Sequence, residues 1–247
     1  MTFVRTVGVT VATARTMHAP TLFIAAVVLP LTCKSGLSTP VVQSRMKQHD
    51  QQGLAIRDAI VRGDLAAAKD EATVLLFMNP EGSPRDAWTQ HLSTMNAAAA
   101  WLGSAPSLEA AAQALGPLAK TCGDCHSDLK RPFQPLTAPA EQAAGVRPKM
   151  VRHEWAASRM WDGLVVPSDD AWMAGARVLS EEPLSSELLT PGKSPVPRVG
   201  ALEQSVHDLG RQAETTRSAD GRAQLYGEIA QTCSECHRWL GGGPGAK

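Results

Sequence analysis

The sequence predicts an all-α protein of two tandem four-helix bundles, each with a CxxCH stretch on its last helix. Three observations lead there. Aromatic residues make up only 4% of the chain, and β-branched runs are rare after the first 42 residues, a composition that suits helices. Helix-period apolar stripes, broken by glycine, proline and serine, divide the rest into two runs of about four helices, roughly 42 to 130 and 148 to 240. "KTCGDCHSDL" at 120–129 returns as "QTCSECHRWL" at 231–240, so the second run repeats the first.

Residues 1–41 read as an export segment and leader. Arg5 and Arg15 precede or open onto "APTLFIAAVVLPLTC", an apolar stretch of about a dozen residues that matches a signal-peptide core and is too short to span a bilayer. Met17 is an alternative start, since the residues before it add little beyond two positive charges. Cys33 closes the stretch where a bacterial lipoprotein carries its lipidated cysteine, although the preceding "PLT" lacks the usual small residue. The alternative is ordinary cleavage downstream. The expected location is periplasmic or extracytoplasmic, with membrane anchoring if Cys33 is lipidated.

The first bundle, 42–130, begins with a helix ending near Arg62, where Gly63 takes the left-handed cap and Asp64 caps the next helix from Leu65. A third helix starts at Ser83-Pro84, proline suiting the first helical position, and a fourth after Ser107. Pro117 is expected to kink that fourth helix. "RPFQPLTAPAEQAAGVRP", 131–148, is a proline-rich linker. The second bundle, 149–240, breaks at Pro167-Ser168, and its third and fourth helices start near Val199 and Ala219. "EEPLSSELLTPGKSPVPR" is an irregular connection, and 241–247 a flexible tail.

Two blocks of the repeat align without gaps. Met46, His49, Asp58 and Val61 pair with Met150, His153, Asp162 and Val165; Gln113, Gly116, Ala119, Thr121, Cys122, Cys125, His126 and Leu129 pair with Gln224, Gly227, Ala230, Thr232, Cys233, Cys236, His237 and Leu240. On the first helix Met46, His49, Gly53, Ile56 and Ile60 share a face, as do Met150, His153, Ala157, Met160 and Leu164 on its counterpart. A small residue one turn after each histidine leaves room beside it. His91 and His207 do not match in register and read as ordinary surface or structural histidines.

CxxCH has a definite use in c-type haem attachment. Each thiol adds to a haem vinyl group, and the adjacent histidine becomes an iron ligand. Two copies in register behind an export signal favour that reading, with Cys122, Cys125, Cys233 and Cys236 as attachment points and His126 and His237 on iron. Zinc is the main rival, but the pairs lie about 110 residues apart, and an all-thiolate site leaves both histidines unexplained. A redox dithiol needs a βαβ context that is missing here.

A four-helix unit with CxxCH on its last helix, facing an M-x-x-H first helix, resembles the class II cytochromes c, including cytochrome c′ and the c-556 type. The resemblance covers nearly the whole mature chain as two copies. It implies an up-down-up-down bundle holding haem between first and last helices, hence two haem c groups. Family members carry methionine or an apolar residue on the far side of iron. Here His49 and His153 are the favoured distal candidates, with Met46 and Met150 as alternatives.

The expected function is therefore electron transfer with redox partner proteins, a carrier rather than an enzyme. The alternative is an open-iron protein that binds nitric oxide or carbon monoxide, or a dihaem peroxidase. Net charge is zero with no long basic run, which gives no support to nucleic-acid binding. Family analogy makes a homodimer conceivable.

Overall fold

A computed structural model describes residues 40–78, 86–128, 130, 145–190 and 196–243. The chain is all-helical, with no strand among the described residues. The export segment, Cys33, the Ser83-Pro84 start, most of the linker and the end of the tail lie outside them. No helix among the described residues is long and apolar enough to cross a membrane.

The first run comprises α1 (Pro40–Arg62), α2 (Leu65–Phe77), α3 (Asp86–Gly103) and α4 (Leu108–Asp128). Gly63 ends α1 at φ +81°, a conformation that costs glycine little, and donates its N–H to the Ile60 carbonyl at 2.9 Å. The Asp64 carboxylate then accepts the Ala67 N–H at 2.9 Å, capping α2. Ser107 caps α4 through Ala110, and α4 continues as one helix through Pro117.

The second run comprises α5 (Val146–Val165), α6 (Asp169–Leu179), α7 (Ser186–Leu189), α8 (Pro197–Thr215) and α9 (Ala219–Leu240). Ser168 and Ser218 cap α6 and α9 through Ala171 and Gly221. The single turn α7 interrupts a connection expected to be irregular. It forms because Leu189 can be buried there, in a small cluster with Val199 and Cys236.

The described residues form one compact unit, and the two runs share one hydrophobic core. Ile56, Ile60, Leu115 and Leu118 of the first run belong to the same cluster as Met160, Trp161, Trp172, Tyr226 and Ile229 of the second. Between the runs α4 packs chiefly on α9. Also, α1 lies more extensively against α9 than against α4, and α5 more against α4 than against α9.

Small residues permit the α4–α9 crossing. A Cβ on Gly116 would lie 2.6 Å from the Ala223 carbonyl carbon, and one on Gly227 would lie 2.9 Å from the Ala112 carbonyl oxygen. Gly116 and Gly227 are counterparts in the repeat, as are Ala112 and Ala223, so the runs meet through reciprocal contacts about a pseudo-twofold axis.

Candidate functional site

The repeat builds two cavities. The first is lined by Met46, His49, Asp50 and Gly53 of α1, by Cys122, Cys125 and His126 of α4, by residues of α2 and α3, and by Trp161 and Val165 of α5. The second is lined by Met150, His153, Glu154 and Ala157 of α5, by Cys233 and His237 of α9, and by Arg57, Asp58 and Val61 of α1. In the register of the repeat, Met46, His49, Asp50, Gly53, Cys122, His126, Trp161 and Val165 correspond to Met150, His153, Glu154, Ala157, Cys233, His237, Arg57 and Val61. Each cavity thus takes its CxxCH histidine, M-x-x-H pair and first cysteine from one run, and a wall from the leading helix of the other.

The CxxCH histidines are held in the same way. His126 Nδ1 lies 2.7 Å from the Val165 carbonyl oxygen, and His237 Nδ1 lies 2.9 Å from that of Val61. A carbonyl can only accept, so each ring donates from Nδ1, and Nε2 is the nitrogen that a neutral ring has for a metal. Val61 and Val165 are themselves a repeat pair, so each histidine is oriented by the end of the other run's first helix. Imidazoles that ligate metals are commonly oriented by such a bond on the opposite nitrogen.

The cysteines sit on the same helices. Burial pushes the Cys122 and Cys233 thiols up to about 12, and Cys236 up to about 11. Burial also lowers His237, against the hydrogen bond to Val61. Any reaction at these sulfurs has to begin from the thiol or be helped by a base from outside the helix.

The opposing residues differ between copies. His49 Nε2 donates to the Met78 carbonyl at 2.7 Å. His153 Nε2 is shut away from solvent with no hydrogen-bond partner, and burial holds its ring down to about 4. Met46 and Met150 both reach the cavity walls.

His91 and His207, read from the sequence as ordinary surface or structural histidines, both have carboxylate partners. His91 lines the first cavity and lies 2.9 Å from the Asp128 carboxylate. His207 is not on the surface; it is fully buried on α8, one turn after Glu203. The E-x-x-x-H spacing of those two was the available signal. Nothing local pointed to Trp161 and Arg57, which cross from one run into the other's cavity.

Haem can be tested against this geometry. The donor set is complete in the first copy, with a cysteine pair, a histidine hydrogen-bonded through Nδ1 and an M-x-x-H face opposite; in the second, Cys233, His237 and the M-x-x-H face line the cavity, while Cys236 is buried beside Leu189 and Val199. The second cavity, about 700 Å³, is of small-molecule size. The first is about 90 Å³, too narrow for a planar macrocycle until its wall side chains move. The narrowness traces to Trp161, whose ring lies 3.0 Å from where a Cβ on Gly53 would stand; at the matching place the second cavity has Arg57, and its ring is absent.

No protein-family model, curated protein or solved structure matches the chain.

Proposed function

We propose that the chain is an exported dihaem c-type cytochrome that carries electrons. Residues 42–130 and 149–240 are two copies of a four-helix haem-binding unit of the class II kind. Cys122, Cys125, Cys233 and Cys236 hold two haem c groups, and His126 and His237 are the proximal ligands. The observation that carries this reading is the matched pair of Nδ1-to-carbonyl hydrogen bonds. It sets both CxxCH histidines in the tautomer an iron ligand needs, in two cavities built from repeat counterparts.

Haem, when bound, supplies a one-electron iron centre whose potential follows from its ligands and surroundings. The polypeptide does the rest. Val61 and Val165 fix the imidazole planes. Leu75, Leu92, Met95 and Leu118 make the first cavity an apolar enclosure that keeps water from the site. Arg57, beside Asp58 at 2.6 Å and hydrogen-bonded to Ser158, brings a buried positive charge to the second. Shared packing of α4 and α9 joins the two sites in one rigid frame, which suits electron passage between them.

His49 and His153 are the proposed distal ligands, with Met46 and Met150 as alternatives. The protein acts outside the cytoplasm, with redox proteins as partners and lipidation at Cys33 as a route to the membrane. One observation favours the rival, an open iron that binds nitric oxide or carbon monoxide: His49 Nε2 is already committed to the Met78 carbonyl.

Absorption spectra of the purified ferric and ferrous protein, with and without carbon monoxide, decide between the two. Low-spin spectra unchanged by the gas support the closed carrier. Carbon monoxide uptake by the untreated ferrous protein moves the assignment to the ligand binder. Fewer than two haems per chain by pyridine haemochrome sinks the duplicated reading.

A further inference from the structure

Apart from the cysteine-bearing stretches, the second run carries a cluster of its own. His153 on α5 and Glu203 and His207 on α8 each offer a ligand atom, and these atoms all lie within 4.8 Å of one another. Glu203 and His207 are four residues apart, on one face of α8. All three are buried, with His207 at 0%, Glu203 at 3% and His153 at 9% exposure. Glu203 Oε1 accepts the Leu184 N–H at 3.1 Å and lies 3.2 Å from His207 Nε2.

Two nitrogens are left over. His207 Nδ1 and His153 Nε2 are both closed to solvent and both without a hydrogen-bond partner, on rings whose centroids are 5.1 Å apart. Each such orphan is a cost to folding, and the fold keeps two of them side by side, which packing alone does not explain.

We infer that His153, Glu203 and His207 form a binding site for a divalent cation of the zinc type. Two imidazoles and a carboxylate are the donors such an ion favours, in a tetrahedron whose fourth corner is left to water. Metal–ligand bonds of about 2.0–2.1 Å put tetrahedral donors about 3.3 Å apart, which ring rotations reach from the observed spacing. The donors are also in ligating form. Burial keeps His153 neutral; for Glu203, burial works to raise the carboxyl, but hydrogen bonds from His207 and the Leu184 amide bring it below the usual range. His153 lines the second cavity, which provides the way in.

Among the described residues the cluster occurs in the second run alone. His49, the counterpart of His153, gives its Nε2 to the Met78 carbonyl, and His91 pairs with Asp128. An ion on His153 also removes that histidine from the second iron, leaving Met150 or an open position. The duplicated halves would then differ in ligation, one copy keeping its histidine and the other having lent it to a different metal.

The test uses the full-length, haem-loaded protein, stripped with EDTA and dialysed against graded zinc chloride. Zinc and iron are counted together by inductively coupled plasma mass spectrometry. About one zinc per chain is expected. Glu203→Gln and His207→Asn should each weaken uptake by well over 100-fold, more than the roughly 10–100-fold of losing an outer-shell partner. Asp208→Asn, exposed on the same helix, should change nothing. No zinc on the wild type, or equal uptake by both variants, overturns the site. If His207→Asn fails to fold by circular dichroism, the isosteric Glu203→Gln still decides. Zinc held by unmodified thiols would survive Glu203→Gln, and the iron count reports separately on the haem reading.

Discussion

Replacing Gly116 by alanine tests the crossing on which both cavities depend. The new Cβ would lie 2.6 Å from the Ala223 carbonyl carbon and 3.1 Å from its Cα, closer still to the carbonyl oxygen. These are backbone atoms inside a helix, so no side chain can turn away, and α4 and α9 have to separate. Overpacking of this kind costs about 3 kcal/mol, at the upper end of the usual range. Alanine returns about 1 kcal/mol through its better helix propensity. The net loss is about 2 kcal/mol. At Gly227 the tightest approach is 2.9 Å to the Ala112 carbonyl oxygen, with the next at 3.2 Å. A few tenths of an ångström relieve it, and Gly227→Ala should be close to neutral. Urea titration of the purified protein, followed by circular dichroism at 222 nm, reads the difference. With a slope of about 2 kcal/mol per molar, the Gly116→Ala midpoint falls by about 1 M while that of Gly227→Ala barely moves. Equal midpoints for the two variants would show that α4 and α9 do not cross as described.

Three further outcomes follow from named contacts. Ser168→Ala removes the acceptor for the Ala171 N–H and should lower stability by about 1 kcal/mol in the same titration, whereas Ser168→Asp should not. Trp172→Phe takes away the indole N–H that meets the Ala213 carbonyl at 2.8 Å; that oxygen keeps the Thr216 N–H, so the loss is about 1 kcal/mol and the melting temperature should fall by a few degrees. In chain expressed without haem attachment, Cys122 and Cys233 should react with iodoacetamide at pH 8 roughly 1,000-fold more slowly than an ordinary thiol, because so little thiolate forms when burial holds them near 12. Peptide mapping after a timed quench measures it, and rapid labelling of either would contradict the raised thiol pKa.

What the sequence made legible was local. Gly63-Asp64, Pro167-Ser168 and Ser107 stop and start helices through their own backbone and side-chain chemistry, and the described helices change where those residues stand. The M-x-x-H and CxxCH residues share faces because helical periodicity requires it, and all of them except Cys236 line the two cavities. What escaped depends on contacts between residues far apart in the chain. The burial of His207 follows from how α8 lies against α5, and α7 exists because Leu189 finds Val199 and Cys236. The passage of Trp161 and Arg57 into the opposite cavities is of the same kind, since helical periodicity says which residues share a face but not which helix that face will meet.

The exchange of carbonyls between the runs bears on ancestry. His126 gives its proton to Val165, and His237 to Val61. A single repeat expressed alone would have no carbonyl for its histidine unless a second molecule brought one. This is the logic of an isologous dimer, in which patch i meets patch j and patch j meets patch i, here with both protomers joined end to end. Fusion releases each half from having to remain its own mirror. Once the two faces are encoded separately, one can narrow around a tryptophan while the other opens around an arginine, and a histidine can be reassigned on one side without being lost from both.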